Sequence, residues 1–319
     1  MTPEERVIIG LVQVIVVLLL SPLMVGILKK IEARVESRKG MSIFQPYYDL
    51  AKFFRKETLV PEGVGPFFVI APFIAFGAML TLPWMLPIVG NFPSWFAPTV
   101  DFFGGTFIFG LAAMASVLAT ERTGSYYTGI GATRSVNFGA FAEPVLIMVF
   151  FGVAILTGTN NPFLMNHRII TESWYLSPTH ILITAAFFML LLFDTGKLPI
   201  ESHGSNELGM LDQAKSLEYT GPLYALNTWA GYMKSFILMA VFLNVFALPW
   251  GLATNASLFE IITGISVLFI KMLGLILAFV VVEETLAKIR LFRIIDYLSA
   301  SFLLAIMGVI SFLLGGGAP

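Results

Sequence analysis

The hydrophobic positions of this chain fall into long, predominantly apolar blocks that are separated by charged loops. About 20 apolar residues, at a rise of 1.5 Å per residue, cover the hydrocarbon layer of a bilayer. The pattern therefore predicts an all-α integral membrane protein with about eight transmembrane helices. The predicted spans are about Val7–Leu28, Phe67–Val89, Val100–Thr120, Phe138–Gly158, Thr179–Phe193, Leu226–Leu248, Glu260–Val282 and Phe292–Leu314.

The loop after the first span, residues 30–66, contains a segment with a different periodicity. Apolar residues recur there at i, i+3, i+4 and i+7, and charged residues occupy the other face. This pattern predicts an amphipathic helix over about residues 47–57 that is too short to span and lies at the membrane surface. The helix either anchors to lipid or docks a soluble partner. Its apolar positions are Tyr47, Leu50, Ala51 and Phe54, and its charged positions are Asp49, Lys52, Arg55 and Lys56.

Lysine and arginine are distributed very unevenly between the two sides of the predicted bundle. They concentrate in the loops after spans 1, 3, 5 and 7, whereas the other side carries only Arg6 and Arg168. The positive-inside rule therefore predicts that both termini lie outside and that the four odd-numbered loops are cytoplasmic.

Composition excludes several classes of function. The chain is 57% hydrophobic and 12% charged, against roughly a quarter charged in soluble domains, so it is not a soluble enzyme. The sequence has no cysteine, which excludes cysteine-ligated iron–sulfur clusters, zinc–thiolate sites and thiol nucleophiles. Its three histidines are scattered, and we expect no metal, cofactor or catalytic site in this chain. We expect one membrane domain over residues 1–319, no nucleic-acid partner and the lipid bilayer as surroundings.

Charged residues at or near membrane depth are the candidate functional groups. Such groups are costly in lipid and usually face a protein interior or a water-filled path. Carboxylates clustered in low dielectric couple to one another, which suits a proton relay. Glu143 and Lys271 lie deepest and are expected to need a buried partner or water. The alternative for the acids at helix ends is plain solvation or pairing with Arg122, Arg134 and Lys197. The candidates are Glu143, Asp194, Glu201, Glu207, Glu218, Lys271, Glu283, Glu284 and Asp296.

Four stretches resemble the membrane-anchor subunit of complex I (subunit 1, or H-type). They match its basic first loop with Q-P-x-x-D-x-x-K, its G-A-x-R segment with a buried glutamate, its acidic loop, and the segment joining its last two spans. Met41 and Lys197 depart from the family, which has proline and arginine there. The stretches are RVESRKGMSIFQPYYDLAKFFRKE (Arg34–Glu57), GATRSVNFGAFAE (Gly131–Glu143), residues 194–221 within the acidic loop 194–225, and EETLAKIRLFR (Glu283–Arg293).

The compact first loop and the T-G-K-L-P-I and K-I-R-L-F-R segments are most similar to the membrane-bound [NiFe] hydrogenase branch. This resemblance implies a non-catalytic subunit of an oxidoreductase complex, which anchors a soluble arm and couples H₂ evolution to H⁺ or Na⁺ translocation. It implies hydrogenase-like large and small subunits, a ferredoxin-type subunit and antiporter-like membrane subunits as partners. Iron–sulfur clusters and the [NiFe] centre are expected in those partners. Residues expected to dock the arm are Arg34, Arg38, Gln45, Asp49, Lys52, Arg55 and Arg134.

Three other functions remain open. The same subunit could serve a sulfur (sulfane) reductase or a quinone-reducing, complex I-like NADH dehydrogenase, because the terminal chemistry resides in other chains. The third of these other functions is that of a stand-alone secondary ion transporter. Transporters often carry internal repeats with broken helices at corresponding positions, and no such repeat is visible here.

Overall fold

The computed structural model describes residues 3–91, 101–198, 214–254, 257–287, 289–290 and 293–315, and for residues 3–5 only the backbone. Within these residues, seven helices are long and apolar enough to cross a membrane, and the apolar helix α7 is slightly shorter. The prediction of an all-α protein with about eight spans is confirmed. The helices are α1 (Pro3–Val35), α2 (Gln45–Phe54), α3 (Pro66–Met85), α4 (Phe102–Glu121), α5 (Tyr126–Thr157), α6 (Pro162–Thr171), α7 (Pro178–Asp194), α8 (Gly221–Val241), α9 (Leu258–Thr285) and α10 (Ile294–Leu314).

The long helices run alternately up and down, so the bundle has two chemically different ends. We call the end that carries α2, the last turns of α1, α7 and α9, and the first turns of α8 and α10 the basic end. At the other end, which we call the opposite end, α1 and α10 carry the two described ends of the chain. A π-helical turn, Phe242–Ala247, continues α8 there, and α6 packs beside it.

Aromatic and aliphatic side chains fill the interior of the bundle. Phe187 of α7 packs edge-on against Phe246, with ring centroids 4.8 Å apart, and Phe102 stacks on Phe150 at 4.3 Å. Large apolar side chains also cover the outer surface; Phe107, for example, is 70% exposed. A protein that is surrounded by lipid requires an apolar outer surface of this kind.

Several predicted boundaries differ from the structure. α1 does not stop at Lys29-Lys30 but continues to Val35, because these basic residues are good helix formers beyond the apolar stretch. α2 covers Gln45–Phe54 rather than about 47–57, because Pro46 occupies the first turn, where proline is tolerated. α6 was not predicted; Asn161 caps it by accepting from the backbone N–H groups of Phe163 and Leu164.

The amphipathic helix α2 packs on the bundle. Leu50 is buried, the Tyr47 hydroxyl donates to the carbonyl of Leu19 in α1, and the Phe53 ring lies 4.5 Å from that of Tyr224 in α8. Gly26 permits this approach, since a Cβ there would lie 1.9 Å from the Ile43 carbonyl oxygen. Tyr47, Leu50 and Phe53 therefore contact the bundle, while Phe54 is 42% exposed and the basic residues of α2 are also exposed.

Candidate functional site

A cluster of three charged side chains joins separate elements at the basic end. Lys197 forms ion pairs with Glu32 of α1 and with Glu283 of α9; the ammonium nitrogen lies 3.5 Å from the nearer Glu283 oxygen. The side chains are only 11%, 18% and 24% exposed, in the order Lys197, Glu32, Glu283. Two carboxylates thus share one ammonium in a poorly solvated place. We call these residues the three-charge cluster.

The turn that follows α7 positions Lys197 in this cluster. Gly196 adopts φ +68°, the left-handed conformation that glycine allows at a helix end. The backbone N–H of Lys197 donates to the Leu192 carbonyl at 2.8 Å, and that of Gly196 donates to the Phe193 carbonyl at 3.0 Å. These two bonds reverse the chain just past α7, so that Lys197 faces the bundle rather than the surrounding medium.

A polar cavity of about 370 Å³ borders the cluster between the ends of α1 and α9. Charged side chains line most of it, and the Met41 turn closes one side. Such a cavity can hold water next to the carboxylates, which a proton relay requires. The charged lining residues are Lys29, Glu32, Glu36, Arg38, Glu283 and Glu284.

Asp194, the last residue of α7, lies three residues before Lys197 and forms a separate ion pair. Its carboxylate accepts from the Lys234 ammonium of α8 at 2.8 Å. The Lys234 side chain is 36% exposed and that of Asp194 is 14% exposed, so the ammonium of this pair is better solvated than that of Lys197, whereas its carboxylate is not. This ion pair is of the kind that the pairing alternative describes, though with another base, and a place for Asp194 in a proton path stays a prediction.

Glu143 lies in the middle of α5, because that helix begins at Tyr126, twelve residues before the predicted span. Its side chain is exposed on the outer surface of the chain, next to Gly110 of α4. The expectation of a glutamate buried within this chain is therefore wrong. Arg134, which precedes the predicted fourth span, is an exposed residue of α5.

The remaining proton-path candidates are dispersed. Glu218 is half-buried before α8, Glu284 is exposed at the cavity, and Asp296 is exposed in the first turn of α10. Lys271 lies twelve residues before Glu283, about 18 Å along a helix, and contacts the end of α8 instead of the acids. Glu201, Glu207 and the neighbouring Asp212 lie outside the described residues.

The predicted docking residues divide into two groups. Exposed bases at the basic end are available to a partner, whereas Gln45 and Asp49 bond to each other at 3.0 Å along α2. Lys52 extends this row with a 3.5 Å contact to Asp49, so the Q-P-x-x-D-x-x-K motif forms one polar edge. The exposed bases are Arg34, Arg38, Lys52 and Arg55.

A larger cavity of about 570 Å³ lies between the end of α2 and the start of α8. Phe53, Tyr219 and Tyr224 give it an aromatic wall, and Lys56 and Glu57 lie at its polar side. Tyr219 stacks on Phe68 with centroids 4.2 Å apart and donates to the Phe68 carbonyl at 3.2 Å. Burial raises the pKa of its hydroxyl well above the usual value, which keeps it a neutral donor.

Sequence reasoning missed Glu32 and Lys234. Glu32 follows two lysines in what was taken for a loop, so nothing in the local pattern marked it as poorly solvated. Lys234 interrupts an otherwise apolar block, and that signal could have identified it as the partner of an acid. Lys197 was considered as a pairing partner for the acids at helix ends, but its partners Glu32 and Glu283 are distant in sequence and were not identified.

Comparison with known proteins gives a consistent result. The profile of the family described as NADH dehydrogenase matches residues 8–314. Hydrogenase-4 component C of Escherichia coli K12 is 29% identical over 315 residues, covering 97% of this chain and 96% of the relative. Formate hydrogenlyase subunit 4 of the same organism is 26% identical over 283 residues, or 88% and 90% of the two chains.

A solved structure supports the fold. A chain of the membrane-bound sulfane sulfur reductase, an archaeal respiratory membrane complex, superimposes with a TM-score of 0.76 and 22% identity, over 96% of this chain and 98% of that one. At this identity the match establishes a shared architecture.

Proposed function

The chain belongs to the NADH dehydrogenase family, and from this premise we propose that it is the membrane-anchor and coupling subunit of a ferredoxin-dependent, membrane-bound [NiFe] hydrogenase complex. In this role the chain docks a soluble redox arm at its basic end, which faces the cytoplasm of the cell. It relays protons that link H₂ evolution to H⁺ or Na⁺ translocation. The clusters and the [NiFe] centre reside in partner subunits, and this chain is not itself catalytic.

The three-charge cluster is the observation that carries the proposal. The proton affinities of the two carboxylates are coupled through the ammonium that they share. When one acid is protonated, its attraction to Lys197 weakens and the ion pair of Lys197 with the other acid becomes stronger. The cluster connects α1, the end of α7 and the end of α9, and it borders a polar cavity. A redox event above the cavity can therefore change protonation within the membrane domain.

The outer face of α5 supports an adjoining membrane subunit. A carboxylate in the middle of a membrane helix is costly against lipid, so Glu143 needs a covering partner or water. Gly129 and Gly139 have open space where a Cβ would stand, which allows another helix to approach closely. We assign this face to the antiporter-like partner, with Glu143 at the crossing between the two subunits.

The exposed bases at the basic end support docking of the soluble arm. Replacing Arg38 and Lys52 together by glutamate should release the arm from membranes, because the charges that attract its surface are reversed. The measurement is the fraction of hydrogenase activity that sediments with washed membranes. Arg122→Glu, an exposed reversal at the end of α4, is the matched control and should retain the arm. Full retention in the double variant would refute the docking assignment.

Purification of the intact complex through this chain, followed by an assay with reduced ferredoxin, tests the proposal. Hydrogen evolution with a [NiFe] subunit among the co-purifying chains is the expected result. Reduction of polysulfide without H₂ would instead identify a sulfur-reducing complex of similar architecture. A chain that purifies without partners would overturn the subunit assignment and favour an independent transporter.

The aromatic cavity between α2 and α8 favours one alternative, a quinone-reducing complex of the complex I type. Its volume of about 570 Å³ suits a small aromatic headgroup, since ligand pockets typically span roughly 300–1,000 Å³. The same purified complex distinguishes the two functions. Quinone reduction that is blocked by Tyr224→Ala, with no H₂ evolved, would establish the alternative and exclude the hydrogenase.

A further inference from the structure

α8 ends irregularly at the opposite end from the three-charge cluster, where residues 242–246 are buried while Leu248 and Trp250 are exposed. α8 passes into the π-helical turn Phe242–Ala247 and then into extended chain. A helix end leaves several carbonyl oxygens without backbone partners and carries partial negative charge. Such unpaired carbonyls are expensive to bury, so other groups must satisfy them.

Side chains from two neighbouring helices satisfy part of this end. Asn166 of α6 donates to the carbonyls of Asn244 at 2.6 Å and Pro249 at 2.9 Å. His180 of α7 donates through Nε2 to the Phe246 carbonyl at 2.7 Å. Two side chains thus donate to three carbonyls of this end.

A third helix supplies a charge. The Lys271 ammonium of α9 donates to the Leu248 carbonyl at 2.6 Å, to the Trp250 carbonyl, and to Asn244 Oδ1 at 3.2 Å. The amide of Asn244 is held in this orientation, since its Nδ2 donates to the carbonyls of Pro87 and Ile88 at 3.1 and 2.8 Å. Asn244 is only 1% exposed.

We propose that these three oxygens form a monovalent cation site at the end of α8, and that Lys271 is its tethered occupant. Three oxygens converging on one nitrogen, at the negative end of a helix, match the donor set that unwound helix ends offer to small cations. An ammonium has three N–H groups, one for each oxygen. The tether keeps the site filled whatever the salt composition, because its effective concentration exceeds that of free ions.

The occupied site fixes α9 to α8 and, through Asn244, to the chain after α3. A bound cation here is a structural counter-charge, which distinguishes it from the acids at the basic end. The site determines the stability and ligand chemistry of the opposite end, whatever terminal electron acceptor the complex uses.

Chemical rescue of a lysine-free variant tests the site. In the purified complex, Lys271→Ala should lower the thermal midpoint of this chain by about 5 °C, because charge-assisted hydrogen bonds are lost. Methylammonium chloride should restore the midpoint. Tetramethylammonium chloride at equal concentration should not, since it has no N–H to donate. Lys271→Met should not be rescued by either salt, because its side chain fills the space.

Lys30→Ala is the matched control, since Lys30 also donates to a carbonyl, that of Lys39 at 2.7 Å, without a three-oxygen site. It should show no difference between the two salts. A wild-type midpoint in Lys271→Ala, or equal effects of the two salts on it, would overturn the proposal. If Lys271→Ala does not accumulate, Lys271→Arg should accumulate above Lys271→Met, because it retains a cation. Equal amounts of these two variants would count against a cation site.

Discussion

Lys197→Met is expected to destabilise the chain strongly, by about 3 kcal/mol, because breaking a buried ion pair from one side leaves uncompensated charge. The substitution removes the only ammonium that the structure places between Glu32 and Glu283 within the described residues. Two poorly solvated carboxylates would then repel each other. The measurement is the thermal midpoint of this chain in the purified complex, together with the amount of complex recovered from membranes.

Two further variants separate electrostatics from packing. Lys234→Met removes the ammonium from the Asp194 pair and should cost less, because it leaves one unpaired carboxylate rather than two that repel each other. Adding Glu32→Gln and Glu283→Gln to Lys197→Met should recover much of the lost stability, since no net charge then remains in the cluster. If the triple variant is as unstable as Lys197→Met, the loss is one of packing and the electrostatic account is wrong.

Glu143→Gln is expected to assemble normally but to lose ion pumping. The amide is nearly the same size as the carboxyl and still forms hydrogen bonds, so the contact with the adjoining subunit should persist. An amide does not titrate, and a relay through this position would be interrupted. Ion translocation into sealed vesicles should therefore fall to the level of uncoupled membranes. Vesicles driven by reduced ferredoxin provide the measurement.

The controls for Glu143 use the same chemistry at different positions. Glu143→Asp retains a carboxylate and should keep most of the coupling, whereas Glu121→Gln neutralises an exposed acid at the end of α4 and should leave pumping intact. Normal coupling in Glu143→Gln would refute the relay. Glu143→Leu separates the two roles: loss of the adjoining subunit is expected if the carboxylate lies at an interface. A more stable, fully coupled variant is expected if it merely faces lipid.

The helices could be predicted from the sequence because their signal is local. A run of about 20 predominantly apolar residues can adopt only one structure in a bilayer, because a helix is the conformation in which a single segment satisfies its own backbone hydrogen bonds there. The same argument fails at helix ends. α5 begins at Tyr126 rather than Phe138, because threonine, arginine and asparagine in its first turns can be helical once the chain has left the hydrocarbon.

The candidate site could be predicted only in part. Glu283 stood out because two acids close an apolar block. The other two members of the cluster, Glu32 in α1 and Lys197 after α7, lie 251 and 86 residues before Glu283 in the sequence. No periodicity links Glu32 to Lys197. The direction in which Glu143 points was equally inaccessible, since about half a turn of rotation of α5 decides between the interior and the outer face.

The outward direction of Glu143 has a consequence for how the cell makes this protein. A newly inserted copy exposes a carboxylate in the middle of a helix until another subunit covers it. Such a copy is energetically unfavourable in the bilayer, and it is therefore a natural substrate for membrane quality control. We therefore expect that the chain accumulates only when its neighbours are synthesised in step with it. Its abundance would then report the stoichiometry of the whole assembly rather than the rate of its own synthesis.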